Sequence, residues 1–419
     1  MKILRLNSIS GPLGGVETYI ENVNGILSEM GHATTTITIS SGEHFNKNNS
    51  DVEIRITSNK IKRMLQDILT QENLLEVLQN VYNDFKPDII HLHHFRIGFS
   101  TIKKFLLSNT TPVVFTAHDA LVVCPLSTLV KPGKIICEGG VAIRCGFTGC
   151  KIHSHLPYEL MLSRSFRGLA IMKIDALMCP SYSIMNYLKS NGFSPVVHLP
   201  SFSYFNHKLL DNEPDYEEIL SRKNIGFIGR LEWYKGIDDL IKGFAIFTHN
   251  HPEFNLLIAG TGPYEKDLKA LAVKIGIDNK ISWLGKIDSK EREEFYKKIV
   301  CNVVPSKSWE NFALSAQESL LRAVSTIGTN IGGIPEIVKQ GITGELVEIS
   351  SPEEIAMKLE KVINNRDNTT VRQMKNGRTF ILNNLNPEKH IAGLISIYQK
   401  VLNKEPIKNG YDANVTAEK

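Results

Sequence analysis

Glu310 and Glu318 stand eight residues apart in the stretch WENFALSAQESL, with small and apolar residues between them. Helical spacing from Phe312 onward puts roughly 9 Å of helix between Phe312 and Glu318. That is too long for the paired carboxylates of a retaining glycosidase, which sit roughly 5–5.5 Å apart. The two acids suit a ligand with a charged middle and hydroxyl-rich ends: the anion meets the helix N-terminus, and one glutamate serves each end. Asn311, Phe312, Ala313 and Leu314 would then line the same turn. A solvated helix face with one N-terminal acid is the plainer alternative.

The cations that such a ligand needs lie upstream. After the apolar run IGFIG comes RLEWYKG, so Arg230 and Lys235 follow a strand end and precede a helix starting near Ile237. Ammonium, guanidinium and free backbone N–H groups there can all face one diphosphate; two solvated surface charges are the alternative. The next strand ends LLIAGTGPYEKDL, where Gly260 and Gly262 open a tight turn but Tyr264 and Glu265 interrupt a dinucleotide fingerprint. Gly332 and Gly333 precede a short helix-like run, Pro335 to Val338, and allow a close backbone approach or a positive-φ turn.

The first half offers weaker signals. Gly14 and Gly15 open a helix after strand one, as a glycine loop over a phosphate or as an ordinary turn. His118 and Asp119 end the strand PVVFTAHD, where a histidine can touch a substrate hydroxyl or serve only as a hydrogen-bonded structural group. His91, His93 and His94 have no matching third-ligand spacing, which favours structure over metal. Cys124, Cys137, Cys145 and Cys150 fall within 27 residues, so a structural zinc or another metal with four thiolate ligands is one reading, free thiols a second and a disulfide a third. A helix-period stretch with Arg164, Arg167 and Lys173 reads as a covered domain helix or as a basic face for anionic lipid.

The elements that hold these residues alternate between strand and helix, the pattern of parallel sheets covered on both faces. Strands are expected at 2–7, 33–39, 88–93, 112–117, 176–180 and 196–199, with helices at Val16 to Met30 and Leu74 to Asn83. A polar segment, 201–222, reads as a linker, and strands resume near 225–229, 255–259, 281–284, 300–304, 324–327 and 345–348. The expected domains are therefore 1–200, with a cysteine-bearing insertion at 120–155, and 223–385. A last helix at 386–404, periodic over His390 to Leu402, and a mobile tail at 405–419 follow. In such sheets ligands bind beyond the carboxyl ends of the strands, where all the candidates fall.

A hydrophobic content of 42% and a charged content of 22% describe an ordinary globular chain with enough apolar residues for two cores. The net charge of +4 arises within the first 200 residues and is too mild for a nucleic-acid protein, while it permits an anionic substrate or lipid. The opening MKILRLNSIS fits a buried strand better than a signal peptide, and no eighteen-residue apolar window occurs. These features point to a cytoplasmic protein with, at most, peripheral contact at the inner membrane face and reduced cysteines.

Together, GGVE at 14–17, HD at 118–119, GRLEWYKG at 229–236, AGTGP at 259–263, the Glu310 and Glu318 pair, and GGIPEIV at 332–338 resemble the retaining, GT-B-fold glycosyltransferases of family four. The resemblance implies an α/β architecture of two facing Rossmann-like doubly wound domains with a cleft between them. The second would hold a UDP- or GDP-linked sugar donor, the first a glycan or lipid-linked acceptor, and the last helix would cross back to the first domain. It implies that Arg230 and Lys235 neutralise the leaving diphosphate, that Glu318 binds ribose hydroxyls, and that Glu310 holds the transferred sugar with His118 near its reacting carbon. No cofactor or metal is expected at the diphosphate. Asn311 and Ala313 depart from the small residues or glycines usual in the family, which bears on donor-sugar fit. The family's usual work is cell-surface polysaccharide, capsule, lipopolysaccharide or glycoconjugate synthesis; a sugar-nucleotide epimerase and a non-catalytic partner subunit are the competing expectations.

Overall fold

The computed structural model describes residues 1–9, 15–40, 52–55, 65–94, 97–120, 123–124, 129–131, 135–137, 145, 156–202, 213–365 and 368–407. The chain divides into two compact units. The first comprises Met1–Ser127, Glu138–Pro200 and Glu388–Lys419; the second comprises Thr128–Cys137 and Ser201–Pro387. Among the described residues, no helix is long and apolar enough to cross a membrane.

The first unit is built on a parallel sheet of β1 (Lys2–Ile9), β2 (Ala33–Ser40), β3 (Val52–Arg55), β4 (Ile89–Leu92), β5 (Val113–Thr116), β8 (Ile174–Cys179) and β9 (Val196–His198). Their order is β3-β2-β1-β4-β5-β8-β9. Most of these strands read as apolar runs because helices cover both faces: Ile3, Leu4, Leu6, Ile89, Ile90, Val113 and Val114 are all buried. The chain runs outward from β1 in one direction, then returns to place β4 on its other side. The strand order therefore reverses between β1 and β4, and the carboxyl ends of these two strands open onto the unit's natural ligand site. The helix Pro387–Leu402, last in sequence, belongs to this unit.

The second unit repeats the plan with β10 (Asn224–Ile228), β11 (Asn255–Ala259), β12 (Ile281–Gly285), β13 (Cys301–Val304), β14 (Ser325–Thr329) and β15 (Glu345–Val347). The order is β12-β11-β10-β13-β14-β15, with every pair parallel and the reversal between β10 and β13. One core joins Ile225, Phe227 and Ile258 of the sheet to Leu240, Ile241 and Phe244 of the helix Ile237–Thr248 and to Ile355 and Leu359 of the helix Pro352–Asn364. Separate clusters around Leu320 and Ile334, and around Phe295 and Ile299, complete the packing. A short antiparallel hairpin, β6 (Val130–Lys131) with β7 (Ile135–Ile136), falls within the inserted segment.

Every strand expected from the sequence is present, with ends moved by one or two residues. Strand β3 was not anticipated, because VEIR has no apolar alternation long enough to announce it. The segment expected as a linker contains a helix, Tyr216–Ser221, started by Asp215, whose side chain accepts from the Glu218 N–H at 3.0 Å. The helix expected from Phe312 begins instead at Leu314, and the run expected at Pro335 to Val338 is helical over Ile334–Ile337. In the helix Leu156–Lys173 the residues Leu162, Phe166 and Leu169 are buried while Arg164 and Arg167 are exposed. Lys173 is not free for lipid: its Nζ donates to the Asn109 and Thr111 carbonyls at 2.7 and 3.0 Å.

At the sheet edge, Glu345 of β15 is fully buried and is held by Lys358 (2.7 Å), Lys361 (2.5 Å) and Gln373 (2.7 Å) from the two following helices. Burial alone would raise its pKa, but the hydrogen bonds from Lys358, Lys361, Gln373 and Gln340 outweigh it and hold the carboxyl down at about 2. The stability this contributes is present above the ordinary glutamate pKa and is lost as pH falls through about 2. Glu345→Ala should therefore cost about 3 kcal/mol in urea unfolding at neutral pH. The gap to the unsubstituted protein should narrow below pH ~4; an equal gap at pH 7 and pH 3 would contradict this role.

Candidate functional site

The carboxyl ends of β10 and β13, where the second sheet reverses order, carry the residues singled out by spacing. Beyond β10 the chain makes a one-turn helix, Trp233–Lys235, closed by Gly236 at φ +71°. A Cβ at Gly236 would collide with the Pro305 carbonyl, so glycine lets the two loops touch. The Lys307 N–H donates to the Tyr234 carbonyl at 2.7 Å and ties the loop after β13 to the loop after β10. The loop after β11 is fastened to the same place, with Leu231 N–H donating to Thr261 at 3.0 Å and Tyr264 N–H to Leu231 at 3.0 Å. Gly262 sits between these bonds.

These ties bring Lys235 and Glu310 together. The lysine Nζ lies 2.9 and 2.7 Å from the two carboxylate oxygens of Glu310, and Ser306 Oγ donates to Oε2 at 2.9 Å. Both side chains are about one-fifth to one-quarter exposed, so the pair is only partly desolvated and stays accessible to a ligand. Gly332 passes over the Glu310 backbone at φ +59°, where a Cβ would collide with its carbonyl, and Gly333 N–H donates to that same carbonyl at 2.6 Å. Glu310 is thus fixed at its carboxylate by Lys235 and at its backbone by the glycine pair. Asn311 and Phe312 continue the loop, Ala313 caps the helix Leu314–Leu321 without a side-chain bond, and the first turn carries no acid. In that first turn Leu314 N–H donates to the Phe312 carbonyl and Ala316 N–H to the Ala313 carbonyl, each at 3.0 Å.

Arg230 pairs with a different carboxylate. Its Nη2 donates to Glu232 Oε1 at 3.0 Å, and its side chain is two-thirds exposed. Spacing puts Arg230 and Lys235 on one anion; in the structure each is paired with a glutamate. Glu318 lies four residues into the helix, about 6 Å along its axis from Leu314, and not the longer span expected from Phe312. Its carboxylate accepts from Arg292 Nη1 at 3.0 Å and from Tyr296 OH at 2.9 Å. Burial, with the Glu318 charge second, pushes the Tyr296 hydroxyl pKa well above its ordinary value, so Tyr296 is a fixed donor.

In the first unit, Gly15 is the first residue of the helix Gly15–Glu29; Gly14 lies outside the described residues. Glu17 of that helix accepts from Asn7 of β1 at 3.2 Å. His118 follows β5, and its Nε2 is 2.8 Å from His93 Nδ1. His93 Nε2 and His91 Nδ1 lie 3.0 and 2.8 Å from Nη1 of Arg5, which is fully buried on β1. Tyr19 packs its ring edge-on against His118 at 5.1 Å and bonds His390 Nε2 through its hydroxyl at 2.8 Å.

Sequence reasoning missed Arg5, Tyr19, His390, Tyr398, Ser306, Arg292 and Tyr296. An arginine inside the buried run KILRLNSI was the one visible signal; the others are joined only by folding. Among the described residues, no group of three or more His, Cys, Asp or Glu side chains is arranged to hold a metal ion. Cys124, Cys137 and Cys145 are described and half-buried, whereas Cys150 lies outside the described residues.

The second unit thus gathers two cations and three carboxylates, Glu232, Glu310 and Glu318, in and around the loops beyond β10 and β13. Residues 13–201 match the model of Glycosyltransferase Family 4 and residues 211–380 that of Glycosyl transferases group 1, and the chain belongs to this family of GT-B-fold glycosyltransferases. It is similar to an uncharacterized glycosyltransferase of Methanocaldococcus jannaschii, 29% identical over 59% of this chain and 67% of that protein. Among solved structures, sucrose-phosphate synthase from Thermosynechococcus elongatus superimposes with a TM-score of 0.73 at 16% identity, covering 97% of this chain and 100% of that one. Anabaena Alr3699/HepE in complex with UDP-glucose does so with a TM-score of 0.68 at 15% identity, covering 96% and 99%.

Burial, reinforced by neighbouring positive groups, lowers the pKa of His91, His93 and His118 well below the ordinary histidine value, and burial brings His390 down to about 4. Histidines with depressed folded pKa stabilise the protein above pH ~6.5 and lose that contribution as pH falls toward the folded value. Acidification from pH 7 to pH 4 should remove up to about 3 kcal/mol through His390 alone. Melting of the His390→Gln variant should show a shallower decline than the unsubstituted chain over this range, and parallel declines would contradict the assignment.

Proposed function

We propose that the protein moves a sugar, with retention of anomeric configuration, from a UDP- or GDP-linked donor to a hydroxyl of a glycan or lipid-linked glycan acceptor. The reading extends to the synthesis of cell-surface polysaccharide or a glycoconjugate, and to a cytoplasmic setting with peripheral contact at the membrane face. Membership of the glycosyltransferase family supports the reaction class. The UDP-glucose bound by the Anabaena neighbour supports the UDP donor in particular.

The observation that carries the proposal is the Lys235 to Glu310 pair, four residues ahead of the helix Leu314–Leu321 in the chain. As the nucleoside diphosphate departs, negative charge builds on its outer phosphate. Lys235 exchanges its carboxylate partner for that phosphate, Arg230 swings in from Glu232, and the helix N–H groups complete the cradle. Once engaged, these positive groups stabilise the departing charge more than the bound donor, and in this proposal no metal ion is needed at the diphosphate. Glu310, released from Lys235, accepts hydrogen bonds from the sugar hydroxyls. Glu318, held by Arg292 and Tyr296, accepts from the ribose hydroxyls. His118 of the first unit contacts the transferred sugar.

The test is a transfer assay with labelled UDP- and GDP-sugars and a mixed glycan and lipid-linked acceptor fraction, reading both nucleotide release and product. Lys235→Ala should lower kcat/KM about 100- to 1,000-fold, in the range of one lost transition-state donor. Unchanged transfer by Lys235→Ala would remove this lysine from the mechanism.

A further inference from the structure

We infer that Arg5 is a positioning residue: acting through His93, it fixes His118 as a neutral imidazole whose single N–H is on Nδ1, the nitrogen left to meet a ligand. The reading of His118 as a group that touches the transferred sugar rests on the proposed function; the tautomer does not.

The assignment follows from donors and acceptors. A guanidinium only donates, so both ring nitrogens facing Arg5 Nη1, His91 Nδ1 at 2.8 Å and His93 Nε2 at 3.0 Å, must accept. A neutral imidazole has one N–H, so His93 carries it on Nδ1 and donates it to His118 Nε2, 2.8 Å away. His118 Nε2 is therefore the acceptor, and its hydrogen must be on Nδ1. The same logic places the His91 hydrogen on Nε2, where it donates to Thr116 Oγ1 at 2.8 Å, while Tyr398 OH lies 2.6 Å from His91 Nδ1.

The guanidinium is itself immobile. Arg5 is fully buried, its Nε donates to Asn24 Oδ1 at 2.7 Å, and Asn24 Nδ2 in turn donates to Thr36 Oγ1 at 3.0 Å. No carboxylate among the described residues lies within ion-pair distance of it. A proton added to His91 or His93 would turn an acceptor into a donor facing a donor, and would set a second buried charge against the first. Around His118 stand His93, His94 with its partner Asp119 at 3.6 Å, Tyr19 and, beyond Tyr19, His390. The ring of Tyr19 is itself fixed, since His390 Nδ1 donates to the Pro200 carbonyl at 2.7 Å and its Nε2 must accept from Tyr19 OH. His118 is thus held as a hydrogen-bond donor suited to a sugar hydroxyl oxygen, not as a general base.

The full chain labelled with nitrogen-15 histidine tests this by long-range proton–nitrogen correlation, with the His118 signals identified by their loss in His118→Gln. The expected result without any ligand is a neutral His118 protonated on Nδ1; protonation on Nε2, or a mixture, overturns the proposal without any variant. In Arg5→Met the His118 tautomer should become mixed, with Arg5→Lys restoring it in part; an unchanged single tautomer in a folded Arg5→Met also overturns it. In the transfer assay Arg5→Met should lower kcat by about tenfold or more while leaving the donor KM within about twofold, as expected for a donor engaged chiefly in the transition state. A lost tautomer with kcat unchanged overturns the positioning role. Absence of transfer in the unsubstituted chain would instead count against the proposed function, since the tautomer is read without substrate.

Discussion

The ion pair between Lys235 and Glu310 is the contact on which the second unit's site depends. It joins the loop after β10 to the loop after β13, across the point where the strand order reverses. A bidentate lysine–carboxylate contact of this kind is modest in water and stronger where half-buried, so it holds both loops without locking them. In the proposed reaction a donor with a phosphate and a hydroxyl would offer each partner a replacement of the right sign, and such an exchange would avoid the large cost of stranding either charge.

The first unit uses charge in the opposite way. Its arginine has no acid among the described residues and is surrounded by neutral rings, hydroxyls and an amide. A buried cation in that setting tolerates acceptors and penalises further protonation, so it orders hydrogens across β1, β4 and the end of β5. The helix Pro387–Leu402 contributes His390 and Tyr398 to the same network, from almost 400 residues further along the chain than Arg5. The second unit carries a paired cation and carboxylate, and the first a fixed pattern of donors.

Much of this was legible in the sequence for plain reasons. Apolar runs of four to eight residues bounded by turn signals mark buried parallel strands, and glycine, arginine and lysine at strand ends mark anion sites. Arg230, Lys235, Glu310 and Glu318 stand out as candidates because each follows or abuts such an element. Their partners were not, because Ser306, Arg292 and Tyr296 meet the glutamates through side-chain reach, which no spacing rule encodes. The start of the helix at Leu314 was missed for a local reason: Phe312 and Ala313 carry helical periodicity while the Gly332 turn pulls the Glu310 backbone into an extended loop. The histidines of β4 looked like a stray cluster because their organiser, Arg5, lies 86 residues earlier than His91.

The central claim is that the Lys235 and Glu310 pair opens to take a nucleoside diphosphate. Titration calorimetry with UDP, GDP and ADP, each with and without a chelator, reads it directly on the unsubstituted chain and on Arg230→Ala. The account predicts a preference for UDP or GDP, insensitive to chelator and sharply weakened in Arg230→Ala. No binding by any of the three, or binding that vanishes with chelator, would contradict it.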